Sequence, residues 1–113
     1  MHFLPLFFAL VFAHFVGDYP LQGDFLAAAK NHQKPVAGVP WILGLASHAV
    51  IQGGLVALVT GSAWIGVAEA SLHGAIDAAK NEGLLGPGER GYAIDQVLHI
   101  ACKVAWVAVV AWV

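Results

Sequence analysis

Three pairs of ionisable residues recur at one spacing: His14 with Asp18, His73 with Asp77, and Asp95 with His99. A four-residue step puts both members of a pair on one helical face, a turn apart. Neutral imidazoles and carboxylates are the usual ligands of Zn2+, Mn2+ and Fe2+. Two ligands from one helix face are also what metal sites in bundle cores use. His48 adds a seventh candidate ligand, which is too many for one tetrahedral ion. The set suits two ions sharing a carboxylate, or one ion whose histidine ligands are oriented by outer Asp–His hydrogen bonds. Zinc is the first expectation, with manganese or iron as alternatives. Given an open coordination position, such an ion lowers the pKa of a bound water toward about 7 and prepares it to attack an ester or phosphoester. Asp18, Asp77 and Asp95 then act as ligands or general base. Gln22, Lys80 and Gln96 stand where the mouth of the site is expected, as candidates to contact the phosphate oxygens of a lipid-like or other membrane-adjacent substrate.

The elements that must position these residues are apolar. The chain is 59% hydrophobic and 11% charged over 113 residues, with a mean hydropathy of +0.75. A soluble domain carries about 25% charged residues, so the composition is that of an integral membrane protein. The net charge of −2 offers no basic field for nucleic acid. Cys102 is the only cysteine, which excludes an internal disulfide and any CxxC motif. The start, Met1 to Pro5, lacks a positive region and reads as part of a retained membrane helix rather than a signal peptide. The predicted fold is all-α: a four-helix membrane bundle in one domain, 1–113, with spans near 3–20, 41–60, 64–80 and 92–112. Tyr19-Pro20 ends the first span. Asp24 is placed to cap a short interfacial helix over 25–30, with Lys30 and Lys34 facing headgroups. The glycine-rich stretch 81–91 reads as a loop.

Four spans put the connections 21–40 and 81–91 on one side, together with Lys30, Lys34, Lys80 and Arg90, and leave no Lys or Arg on the other. The positive-inside rule then predicts cytoplasmic connections and outside termini. Counted from the cytoplasmic ends, His14, His48, His73 and His99 each lie seven residues in, about 10 Å deep. The aspartates form a shallower layer. Gln52, Glu69 and Lys103 form a deeper one, with Glu69 and Lys103 as a structural ion pair that fixes helix register. His2 and His32 fall outside the cluster and default to solvated surface. Small residues (Gly53, Gly54, Gly66, Ala70) serve either internal packing or contacts between copies in a homo-oligomer.

The motifs His14-Phe-Val-Gly-Asp18-Tyr-Pro-Leu-Gln22, His48, His73-Gly-Ala-Ile-Asp77-Ala-Ala-Lys80 and Asp95-Gln96-Val-Leu-His99, with Lys30 between the first two, resemble a domain-of-unknown-function family. Its members are small bacterial and phage polytopic membrane proteins with the pattern H-x3-D-[FY]-x-L-Q, H-x3-D-x2-K and D-Q-x2-H. The match covers nearly the whole chain. More distantly, the sequence is similar to small inner-membrane proteins classed as metal-dependent hydrolases. The resemblance implies a multi-pass protein of the bacterial inner membrane, in contact with its lipids.

Two other functions fit the same residues. One is transport of metal ions or protons, with Glu69 and Lys103 as a gate, although the outer stretches 3–10, 55–59 and 104–113 have no polar stepping stones. The other is a non-catalytic membrane interaction protein in which the cluster is structural glue. Histidines facing across helices would also permit haem ligation.

Overall fold

The computed structural model describes residues 3–112; His2 therefore lies outside the described residues. The chain forms five helices: α1 Phe3–Asp18, α2 Gly23–Ala29, α3 Trp41–Thr60, α4 Ala63–Asn81 and α5 Gly88–Trp112. No strand occurs among the described residues. Pro20 disfavours a helical Tyr19 and has no N–H to continue the ladder, and α1 stops at Asp18. Gly23, at φ 63°, then turns the chain into α2, and the two axes differ by 82°. Because α2 already begins at Gly23, Asp24 sits in its first turn and does not cap it. Gly61, at φ 72°, closes α3, and the Ser62 hydroxyl accepts the Ile65 N–H at 3.3 Å to start α4.

α5 begins one turn before the expected Tyr92. Glu89 stands in its first turn, where a negative charge complements the helix dipole. A Cβ at Gly91 would collide with the Gly86 carbonyl, so that first turn folds back closely on the loop before it. The glycine run therefore serves a close approach rather than a longer loop.

α1 packs on α3 and α5, and α4 packs on the same two, so four helices close a ring; α2 leans on α3. The α3–α4 crossing is the tightest. A Cβ on Gly53 would stand 2.5 Å from the Gly66 carbonyl oxygen, and one on Gly66 would stand 2.6 Å from that of Gly53. The two backbones touch because neither residue has a side chain, the close approach that small residues permit between apolar helices.

Two of the expected four spans, α3 and α5, are long and apolar enough to cross a membrane. α1 qualifies only together with α2, as one broken segment, because its 16 residues cover about 24 Å against a hydrocarbon core of about 30 Å. α4 is long enough but carries Glu69, Asp77 and Lys80. The burial pattern is nonetheless inverted from that of a soluble bundle. Phe8, Phe12, Leu58, Trp64 and Trp112 are exposed, whereas His14, His48, Gln52, Glu69, His73, His99 and Lys103 are fully buried. The apolar core proper is small, built on Leu10, Val56 and Trp106.

The segment after α2 is fastened to the end of α4. Asn81 Nδ2 donates to the Lys30 carbonyl at 2.8 Å, His32 Nδ1 meets Glu82 Oε1 at 2.6 Å, and Gln33 Nε2 donates to Glu82 Oε2 at 2.7 Å. His32, expected at the solvated surface, is exposed there and also paired with Glu82.

Two outcomes follow. Gly53→Ala should separate α3 from α4 and cost about 1–3 kcal/mol, read as a lowered melting temperature in detergent; an unchanged melting point would mean that the crossing relaxes freely. The hydrogen bond from His32 holds the Glu82 carboxyl below the usual carboxylate range, with Gln33 adding to it. A depressed folded-state value means the latch is intact above the ordinary glutamate range and is lost as pH falls through the lower folded value. Amide protection at Gln33 and Lys34 should therefore fall in acid, and Glu82→Gln should show the same loss at neutral pH. Equal protection in both proteins at neutral pH would sink the latch.

A His/Asp cluster in the bundle core

All four helices of the ring send polar side chains to one place. His14 and Asp18 come from α1, His48 and Gln52 from α3, Glu69, His73 and Asp77 from α4, and Asp95, Gln96, His99 and Lys103 from α5. The imidazoles touch: His73 stacks on His99 with centroids 4.0 Å apart, His48 meets His73 edge-on at 4.9 Å, and His14 lies 5.1 Å from His99. Rings in such contact leave no gap for a haem.

Glu69 forms the floor. Its Oε1 accepts from Lys103 Nζ at 2.6 Å and from Trp106 Nε1 at 2.8 Å, while Oε2 faces His73 Nδ1 at 3.1 Å. A glutamate between an ammonium and an indole N–H is ionised and can only accept. His73 Nδ1 must then carry its proton, which leaves the lone pair of the neutral ring on Nε2. This is the carboxylate–histidine arrangement that orients metal-binding imidazoles.

That Nε2 points into a four-atom cage. His73 Nε2 lies 3.1 Å from His48 Nε2, 3.8 Å from Asp18 Oδ1 and 3.5 Å from Asp77 Oδ2; His48 Nε2 lies 3.2 Å from Asp18 Oδ1 and 3.5 Å from Asp77 Oδ2. A tetrahedral ion with bonds of about 2.0–2.2 Å holds its ligand atoms about 3.3–3.6 Å apart. Five of the six edges that such a tetrahedron would need scatter around that value, and Asp18, His48 and His73 form a set whose ligand atoms lie within 4.8 Å of one another.

Gln96 orients two of the carboxylates. Its amide nitrogen lies 3.2 Å from Asp18 Oδ2 and 3.0 Å from Asp95 Oδ2, and its oxygen lies 3.1 Å from His14 Nε2. Two carboxylates require the N–H side of the amide, so the oxygen accepts from His14. The Nε2 proton of His14 is therefore spent on Gln96 and on Asp18 Oδ2, 3.3 Å away, which separates His14 from the other three histidines. Gln52 donates to Asp18 Oδ1 at 2.9 Å and to the His14 carbonyl at 3.1 Å. Asp18 thus threads down between the imidazoles instead of forming a shallower layer of its own. Beyond them, His99 Nε2 stands between Asp77 Oδ1 at 3.1 Å and Asp95 Oδ1 at 3.3 Å.

Lys30, read from the sequence as a headgroup contact, instead enters the cluster and donates to Asp77 Oδ2 at 3.0 Å. Its position 47 residues away in the chain gave no spacing signal; the Asn81 bond to its carbonyl is what brings it in. Gln22 and Lys80 make no side-chain bond to the His and Asp side chains of the cluster. Gln22 Nε2 donates to the Asp18 carbonyl at 3.0 Å, and the Lys80 ammonium lies over the Tyr92 ring, 4.9 Å from its centroid. The Tyr92 hydroxyl in turn bonds that of Tyr19.

The charges do not balance. Lys103 offsets Glu69 and Lys30 offsets Asp77, but Asp18 and Asp95 have no cation beyond the imidazoles. Buried carboxylates without compensation are costly. Two protons or one divalent ion would restore neutrality. Residues 6–113 match the family described as Protein of unknown function (DUF3307). No match to the chain is found among curated proteins or among solved structures.

The floor carries its own expectation. Lys103→Met strands a buried carboxylate and should cost about 3–5 kcal/mol, measured by denaturant unfolding in detergent. Glu69→Gln with Lys103→Met should recover most of that loss. A double variant as unstable as the single would mean that the pair's charge is not what matters.

Proposed function

The chain belongs to that family of unknown function, and we propose that it is a multi-pass membrane protein whose bundle core binds a divalent metal ion, zinc first, between His48, His73, Asp18 and Asp77. The observation that carries this reading is the cage itself: Asp18, His48 and His73 offer ligand atoms within 4.8 Å of one another, Asp77 Oδ2 lies 3.5 Å from both imidazole nitrogens, and Glu69 dictates the direction of the His73 lone pair. The unbalanced charge of the cluster supports it. So does the apolar exterior, which suits lipid on every side of the ring.

All four long helices cross the bilayer in this reading, with the connections and the cluster toward the cytoplasm and the termini outside. An ion held by four protein ligands is coordinatively filled, so it would activate a water for attack on an ester or phosphoester only by giving up a ligand or expanding its coordination. The protein's own part is to hold the ligands, exclude bulk water and receive the substrate. Asp18 and Lys30, each 12% exposed, mark the side of entry. The Lys30 ammonium would meet an anionic group there, the role first assigned to Lys80. Asp95, one of whose oxygens has no hydrogen-bond partner among the described residues, is a candidate further ligand or general base. Ion conduction gains no support, because Leu10, Val56 and Trp106 fill the bundle beyond Glu69.

Protein purified in detergent without chelator should carry about one equivalent of zinc by elemental analysis. His73→Ala and Asp77→Ala should lose it. Glu69→Gln should weaken it about 10–100-fold, the usual cost of losing an outer partner of a ligating histidine. Wild type containing no divalent metal after zinc supplementation would overturn the reading.

A further inference from the structure

Resting on that metal site, we infer that the cluster holds a second divalent ion, bound by His99, Asp95 and Asp77, with the Asp77 carboxylate bridging the pair. The two oxygens of Asp77 face different ways. Oδ2 belongs to the cage with His48 and His73, while Oδ1 lies 3.1 Å from His99 Nε2. His99 Nε2 is in turn 3.3 Å from Asp95 Oδ1. The three ligand atoms lie within 4.8 Å of one another, and the two His99–carboxylate separations approach the edge of a metal tetrahedron.

One proton on His99 cannot serve both carboxylates. Asp95 is buried, and its Oδ1 has no hydrogen-bond partner among the described residues, although its other oxygen is held by Gln96. An ion placed among the three atoms satisfies them together. It has three protein ligands and so keeps an open position, as catalytic ions do, whereas the first ion has four. Ions sharing a carboxylate stand about 3.5–4 Å apart and can flank one substrate oxygen.

Charge sets the order of filling. The first ion neutralises the cluster, so the second enters against an excess of positive charge. Two changes relieve that excess. Lys30, on the exposed edge, can release Asp77 to solvent, and a water between the ions can lose a proton. The second ion is therefore the weaker one.

Manganese titration of detergent-purified protein, followed by metal analysis and electron paramagnetic resonance, tests this. Wild type should bind two equivalents, the second at least tenfold more weakly, and at saturation should show an exchange-coupled signal. Asp95→Asn should bind one and show the six-line signal of an isolated ion. One equivalent in wild type, or an uncoupled signal at saturation, overturns the second site and leaves the first standing; this arm needs no variant to fold. Two equivalents in Asp95→Asn overturn the ligand assignment. No bound ion in wild type overturns the first site and this one with it.

Discussion

Glu69 is the group on which the rest of the site depends. It is fully buried, and it is tolerable there because three donors from two helices saturate it. Lys103 and Trp106 lock α5 against α4, and the remaining oxygen fixes the proton of His73. One interaction thus sets both the register of two helices and the direction of a lone pair. Everything above it, from the stacked imidazoles to the bridging carboxylate, inherits that geometry.

The bundle is stabilised in an unusual order. Its apolar residues mostly face outward and its polar residues inward, so burial of apolar area can supply little of the cohesion between helices. Close backbone contact at Gly53 and Gly66 and hydrogen bonds among polar side chains take that role. This suits a lipid surrounding, where apolar side chains gain nothing by turning inward and an unpaired polar group is expensive.

Much of this was legible in the sequence because helical periodicity is rigid. Four-residue steps and equal distances from the helix ends are enough to bring His14, His48, His73 and His99 together and to lift Glu69 to the level of Lys103. What the sequence hid depends on side-chain reach and on irregular chain. Lys30 arrives from a strap whose course no periodicity describes. Gln96 reads as a mouth residue until its amide is seen between two carboxylates. Gln22 and Lys80 sit near the rim in sequence, but local bonds to a helix end and to an aromatic ring hold them. The start of α5 was missed because glycine signals a turn by propensity, whereas Gly91 is there for space. Hydropathy does not make spans of α1 and α4, for different reasons, shortness in one and charge in the other.

The pairing of Glu69 with Lys103 also bears on how the chain is made. The two residues are 34 positions apart, and the cation comes second. A chain synthesised from its N-terminus presents α4 with a charged, half-satisfied floor until most of α5 has emerged. α4 on its own is therefore a poor candidate for stable insertion, and α3 already offers a segment able to enter alone. In the proposed four-span topology, the polar helix would have to wait at the interface and go in with its successor as a hairpin. The site is thus a late product of biogenesis, assembled only when the last helix closes the ring.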